Sequence, residues 1–486
     1  MNTKNMDDKL YFAAVFIILL TAVFARFYLL DKRPMYFDEG THWLSFMDKI
    51  HTGHKLTYIP DFHGFTSWYL SAVPLFFLGK TIFAIRFMVA LSGVLTVAMF
   101  FLLKNRIGRF GIIISSLFMA MSPSFAYYSK QTSQYPYIVF FTMLSLIFIV
   151  LYFETKKMTY LYFLAADLAL LITTHEIGII YIASIISFLI LYYRFNPECK
   201  AFFKEQIDIH RKDNFKTLIL CTVLFFIIIV VIMSCFFTNF DTLKAFMKQS
   251  AFQFDKSYNT GHNKNSFYYV KTFFTLEMFA FIGTISSIFV LKRNPFSLFL
   301  FFWTWFSILV FFILPYKVPL MFILVLLPMY LLSGLVADNL FEQTKDKKYS
   351  VRIFCAVLMI LFLTNLYYSV KVNHRYITAR LSMNPLNYAG PVDDNYRLIK
   401  DLDTLVKNNT SAILFAGDSF WPLHYYLRDQ KKQFAENNVD LAKFYTDYGI
   451  FIITRDKYYD KTKLKEFGVY ELRENYFIRI LTKIAR

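Results

Sequence analysis

LYFAAVFIILLTAVFARFYLLDKRPMYFDEG, residues 10–40, joins an apolar run to a pair of adjacent carboxylates. Residues 10–30 are long enough to cross a bilayer, which takes roughly 20 apolar residues. Arg26 lies inside the end of this run, and no small-residue cleavage site follows it. The segment therefore reads as a retained first helix and not as a signal peptide. Asp38 and Glu39 sit one short loop beyond the helix, ringed by Tyr36, Phe37, His42 and Trp43. This placement puts ionisable chemistry just outside a membrane.

The rest of the chain extends the pattern. Of 486 residues, 57% are hydrophobic and 20% aromatic, and the mean hydropathy is +0.42. Soluble domains are less apolar. Spans read at 10–30, 65–79, 81–103, 110–128, 134–153, 160–194, 216–237, 267–291, 296–314, 318–336 and 351–370. Segment 160–194 is too long for one span and is interrupted by TTHEIG (173–178). It reads as two half-helices broken at membrane depth, which is tolerated only where the backbone faces protein or a wet cavity. An ionisable pair inside a membrane is by default a functional-site candidate. For His175 and Glu176 the alternative is that they satisfy each other and the loose backbone.

The formal net charge is +18. Basic residues cluster in short loops such as 194–216 and 343–352, as the positive-inside rule expects of cytoplasmic loops. No soluble segment shows a basic face, which argues against nucleic-acid binding. Attraction to anionic lipid or to a phosphorylated lipid substrate fits the balance. With the N-terminus inside, the spans place 31–64, 238–266, 315–317 and everything after 371 outside. Lys104, Arg106, Arg109, Lys156 and Lys157 then also fall outside, against the rule. The expected location is the cytoplasmic (inner) membrane, with an extracytoplasmic C-terminal domain. None of the four cysteines forms a pair with metal-site spacing, so neither a disulfide framework nor a zinc site is read.

Two domains are expected: a membrane portion over 1–370 that carries the outer loop 31–64, and a soluble tail over 371–486. In the tail, SAILFAG (411–417) and GIFIITRD (449–456) read as buried strands. Residues 393–409 read as a helix with apolar spacing of three and four, and 468–481 as a closing hairpin. No glycine-rich loop opens a helix there, which argues against nucleotide binding.

The carboxylate pair has two readings. In one, Asp38 caps a short helix over 40–51 and Glu39 complements its dipole. In the other, the aromatic neighbours partly desolvate a carboxylate and strengthen it as a base. Asp38 and His42 lie four apart, on one helix face. The loop returns through YIPDFHGFTSWY (58–69), which brings Asp61 and His63. Folding of this loop would gather Asp38, Glu39, His42, Asp61 and His63 at one cavity mouth.

Several motifs resemble those of type C glycosyltransferases, most nearly the prokaryotic family named for flippase-associated glycosylation proteins. YFDEG (36–40) is similar to the Asp-Glu that follows their first helix. PDFHGFTSWYL (60–70), LFFLGKTIFAIRFMVALSGVLTV (75–97), MSPSFAYYSKQTSQYP (121–136) and LPYKVPLMFILVLLPMYLLSG (314–334) follow in the family's order. WPLHYYLRD (421–429) resembles a motif of its soluble tail. Lipid A aminoarabinose transferases and protein O-mannosyltransferases share the architecture. The chain departs from it at Lys130, Gln131 and Gln134, where relatives carry Arg and Asp, and at His175-Glu176, where many carry Lys-Glu.

The resemblance implies an all-α polytopic membrane domain of about 11 helices, one broken, with a small α/β domain. It implies transfer of a sugar from a polyprenyl-phosphate donor to a protein, lipid or glycan acceptor, with Asp38 as general base and Glu39 as its orienting partner. Lys317, held in a turn between two prolines, is the first candidate for the donor phosphate; a snorkelling anchor is the alternative. His63 and Arg33 are further phosphate candidates. Trp421 and Arg428 could contact sugar or acceptor, or pack the tail. No metal is required; Mg²⁺ or Mn²⁺ held by Asp38, Glu39, His42 and His63 is compatible with the ligand types. The rival class is a translocator of lipid-linked sugars or its accessory. A secondary transporter would show related halves, and none is found.

Overall fold

The computed structural model describes residues 8–59, 62–196, 211–248, 263–292, 294–388, 390–407, 411–417, 420–436 and 439–484. They form two compact units, 1–30 with 50–375, and 31–49 with 376–486. The expected boundary at 370 thus moves to 375. The first half of the outer loop packs with the tail, not with the membrane portion.

In the first unit, eight helices among the described residues are long and apolar enough to cross a membrane, or nine if one bent pair is a single span. This is a multi-pass membrane protein. The helix Thr66–Leu78 is not among the eight. It is interrupted at Val73–Pro74; at 1.5 Å per residue it reaches about 20 Å, short of a hydrocarbon core of about 30 Å. Thr159–Thr174 ends at His175, and a new helical run, Glu176–Phe195, is long enough to cross alone. The break expected at TTHEIG is present, but it is a turn: the shorter helix Thr159–Thr174 ends beside Thr66, with Thr173 and Thr66 hydroxyls 2.7 Å apart, and the chain returns in a helix long enough to cross alone.

Contacts within the unit show what this does to the topology. Arg109 pairs with Asp8 at 2.7 Å, and Arg106 with Glu154 at 2.9 Å. The basic turn at 104–109 therefore lies at the same end of the bundle as the start of the first helix. At the other end, Gln134 Nε2 donates to Phe62 O at 3.0 Å and Asn239 Nδ2 to Leu56 O at 2.9 Å. Two expectations fall together: 66–78 does not cross, and 104–109 and 156–157 are not on the side of 31–64. The basic turns at 104–109 and 156–157 now share the end at which the first helix starts, as the positive-inside rule asks. The crossing lost at 66–78 is offset by the extra one at the 175 turn, so beyond residue 195 the expected alternation holds. The turn at 129–134, expected opposite the outer loop, lies beside it.

Buried cations satisfy carbonyls at the end of the helix Arg109–Ala120 and in the turn that follows the first helix, Asp8–Phe27. Arg26 donates to Ala120 O at 2.9 Å and stacks over Phe125. Lys130 Nζ reaches Tyr28 O at 3.1 Å, and Arg86 reaches Leu30 O at 2.9 Å. Carbonyls at a helix C-terminus lack intrahelical donors, and positive charge is favourable there. The motif residues Arg86 and Lys130 thus fix where the chain leaves the bundle.

A second break was not read from the sequence. The expected span 267–291 is two helices, Tyr268–Leu276 and Met278–Val290, bent by 107° at Glu277. Glu277 is fully buried. Its Oε1 accepts from Ser122 Oγ and the Ser124 N–H, each at 2.9 Å, and Oε2 accepts from the Tyr330 hydroxyl.

In the second unit, five strands run β1 (Ile413–Ala416), β2 (Lys432–Ala435), β3 (Ile450–Thr454), β4 (Leu464–Arg473) and β5 (Tyr476–Lys483), in spatial order β2-β1-β3-β5-β4. The first three are parallel and the β4–β5 hairpin closes antiparallel on β3. The helix Asp394–Lys407 lays Leu398, Leu402 and Leu405 on one sheet face, over Ile413, Phe415 and Ile452. Leu441, Tyr459 and Leu464 cover the other face. Both expected strands, the helix and the hairpin are present; the short edge strand β2 was not foreseen.

Candidate functional site

The candidate residues divide between the two units. In the second, a helix begins at Phe37–His42 and continues to Thr52 through a π-helical stretch at Trp43–Met47. Glu39 is fully buried and its Oε2 accepts the Tyr36 N–H at 2.8 Å. It satisfies an orphan donor at the helix start and so positions the turn that carries Asp38. Asp38, next to it, is exposed. The desolvation expected from its aromatic neighbours is not supplied by the free chain. His42 and Arg33 are buried.

The tail motif packs on this helix start, a connection no sequence feature announced. Tyr426 OH accepts the Met35 N–H at 2.8 Å, and Tyr36 OH donates to Tyr388 O at 2.8 Å. Trp43 meets Tyr425 edge to face at 5.3 Å; Arg428 lies over Tyr425 at 4.5 Å; Arg473 lies over Phe37 at 4.7 Å. Arg428 also donates to Tyr425 O. It is therefore a packing residue of the tail. Trp421 opens the helix Trp421–Tyr426. Burial and the Asp38 carboxylate, outweighing the opposing Arg473, raise the pKa of the Tyr388 phenol.

In the first unit, three other candidates meet. His63 Nδ1 lies 3.0 Å from Glu176 Oε2, and His175 Nδ1 lies 3.2 Å from the same oxygen. The two imidazole rings stack with centroids 3.6 Å apart. Tyr58 OH donates to Glu176 Oε1 at 2.9 Å. His63 thus groups with His175 and Glu176 within this unit. Asp61 lies outside the described residues.

Lys317 stands apart in the same unit. It occupies the turn between the helices Pro295–Ile313 and Phe322–Thr344 and is only 1% exposed. Its ammonium donates to Leu314 O at the end of the first of these helices. Among the described residues no carboxylate pairs with it. Burial pushes its pKa below the ordinary lysine value of 10.5. A buried cation with one carbonyl acceptor is costly and is stabilised by an incoming anion. Beside the helix break, Ile138, Ile177, Tyr181, Trp303, Phe311 and Leu327 line an apolar crevice.

No family model matches the sequence, and no curated protein matches it. Solved structures match its fold. ArnT from Cupriavidus metallidurans, bound to undecaprenyl phosphate, superposes with a TM-score of 0.63 at 14% identity, covering 97% of each chain. The apo state of the same protein gives 0.65 at 13% identity with the same coverage. The oligosaccharyltransferase AglB from Archaeoglobus fulgidus, in complex with an inhibitory peptide and a dolichol-phosphate, gives 0.55 at 13% identity, covering 92% of this chain and 69% of AglB. The chain thus has the fold of the type C glycosyltransferases. Its nearly full mutual coverage with ArnT extends that likeness to the tail domain.

Proposed function

We propose that the chain transfers a sugar from a polyprenyl-phosphate donor to an acceptor hydroxyl of a protein, lipid or glycan at the outer face of the cytoplasmic membrane. Lys317 carries this reading. A buried ammonium with no carboxylate partner among the described residues suits the phosphate of such a donor. The solved structures of ArnT and AglB hold lipids of this chemistry, undecaprenyl phosphate and dolichol-phosphate. The end of the bundle opposite the basic turns, where the chain leaves for the tail, is then the outer end.

In the proposed step Asp38 takes the proton of the acceptor hydroxyl. The acceptor oxygen bonds to the anomeric carbon as the anomeric C–O bond to phosphate breaks. The polyprenyl phosphate leaves with the electron pair, and Lys317 neutralises its charge. Phosphate is already a good leaving group, so general-base catalysis is the larger contribution asked of the side chains. Attack opposite the phosphate inverts configuration, by analogy with the one-step logic of inverting glycosidases. Asp38 is exposed in the free chain, so bound acceptor has to shield it from water.

The test is Asp38→Asn assayed for transfer and for donor binding. A general base typically contributes 10²–10⁴-fold, so turnover should fall by about that factor while donor lipid still binds. Unchanged turnover, or translocation of lipid-linked sugar that persists in the variant without transfer, contradicts the assignment.

A further inference from the structure

We propose that His63, His175 and Glu176 form a binding site for a divalent cation of the zinc class. Their ligand atoms lie within 4.8 Å of one another, and they are the one such group among the described residues. Each imidazole Nδ1 sits 3.0–3.2 Å from Glu176 Oε2. In a tetrahedral zinc site with bonds of about 2.0–2.2 Å, ligand atoms are about 3.3 Å apart. Both imidazole nitrogens therefore already stand near coordination spacing from the carboxylate oxygen. The stacked rings need only turn about their Cβ–Cγ bonds to aim both lone pairs at one point. The Ile177 N–H donates to His175 Nδ1 at 3.2 Å, a long hydrogen bond that a metal would displace.

The surroundings fix this arrangement. His63 has φ +62°, a left-handed conformation that costs a non-glycine residue on the order of 1 kcal/mol and persists where neighbours over-determine it. A Cβ on the next residue, Gly64, would lie 1.9 Å from Thr173 O, so only glycine lets the loop press this closely on the helix end. Thr66 and Thr173 hydroxyls bond at 2.7 Å one turn further on. Tyr58 holds the other Glu176 oxygen, the outer-shell contact that metal-binding carboxylates require.

Ligand chemistry selects the ion. Two imidazoles and one carboxylate suit zinc, whereas magnesium prefers oxygen ligands and retained water. Three protein ligands leave a fourth position for water or an anionic oxygen. The site differs in ligands and in metal class from the Mg²⁺ or Mn²⁺ site expected at Asp38, Glu39, His42 and His63. It stands whether or not the chain transfers sugar.

The test uses the full chain in detergent, stripped with a chelator and reloaded with Zn²⁺ or with Co²⁺ as a spectroscopic probe. Bound metal is counted by mass spectrometry. The wild type should retain one equivalent of zinc and show the intense visible bands of four-coordinate cobalt. His175→Ala and Glu176→Gln should lose both. Tyr58→Phe, which keeps all three ligands, should bind about tenfold more weakly and guards against a trivial folding defect. Equal zinc in the wild type and in the His175 and Glu176 variants, or displacement of zinc by millimolar Mg²⁺, overturns the proposal.

Discussion

Two helix breaks in the membrane unit each carry a glutamate, and their surroundings separate scaffold from chemistry. Glu277, at the 107° bend, is fully buried and takes hydrogen bonds from two serines and a tyrosine. Nothing around it exchanges a proton near neutral pH. Glu176, at the other break, keeps 14% of its side chain exposed and meets two imidazoles and a phenol. Its imidazole partners offer lone pairs to a metal. A carboxylate at membrane depth is therefore not a site by itself; the chemistry of its partners decides.

The strongest challenge to this contrast is Glu277→Ala. It strands the Ser122, Ser124 and Tyr330 donors, and each unsatisfied buried group costs about 1–3 kcal/mol. We expect a loss of stability on the order of 4 kcal/mol, read as a lower thermal unfolding midpoint in detergent, against about 1–2 kcal/mol for Glu176→Ala. Equal losses would erase the distinction between the two breaks.

A buried titratable group with apolar walls provides a second calibration. His424 packs in a cluster with Phe434 and Phe415, its ring centroid 4.4 Å and 5.6 Å from theirs, and is 5% exposed. Burial, with Lys432 adding to it, lowers its pKa from 6.5 to about 4. A group with a depressed folded pKa contributes stability that is present above pH 6.5 and is lost as pH falls toward 4. At 1.36 kcal/mol per pKa unit this is on the order of 3 kcal/mol. Denaturant unfolding of the full chain at pH 7 and pH 4.5 should show the tail's transition weaken, and His424→Gln should flatten that dependence.

Smaller effects sharpen the picture at Glu176. Gly64→Ala drives a methyl into the Thr173 carbonyl and should cost on the order of 2 kcal/mol, with the His63 resonances losing their Glu176-dependent shift in NMR. Tyr58→Phe removes one hydrogen bond to Glu176 and should cost about 1 kcal/mol. A Gly64→Ala protein as stable as the wild type would show that the loop does not pack as described.

Much of this was legible in the sequence where composition and order carry the signal. The break at His175 shows as polar residues in an apolar run, and the tail strands as short apolar runs between turns. The helix 66–78 misled because hydropathy does not distinguish a short helix lying along a bundle end from one that crosses. The bend at Glu277 left only a lone acid in an apolar stretch. The packing of Tyr425 and Tyr426 against 35–43 spans nearly four hundred residues of chain and has no local trace. The site was half visible: the residue types at 38, 63, 175, 176 and 317 stood out, but their grouping depends on tertiary contacts.

The central claim is that Lys317 receives the phosphate of a lipid-borne donor. Binding of polyprenyl phosphate to the full chain in nanodiscs tests it most directly, with Lys317→Met beside the wild type and pH varied. A charge-assisted contact of about 2–3 kcal/mol predicts affinity roughly 30–100-fold weaker in the variant. It also predicts wild-type binding that declines with rising pH before the ordinary lysine range near 10.5 is reached, because burial lowers the Lys317 pKa. Equal affinity in two folded proteins, with no alkaline decline in the wild type, would contradict the account.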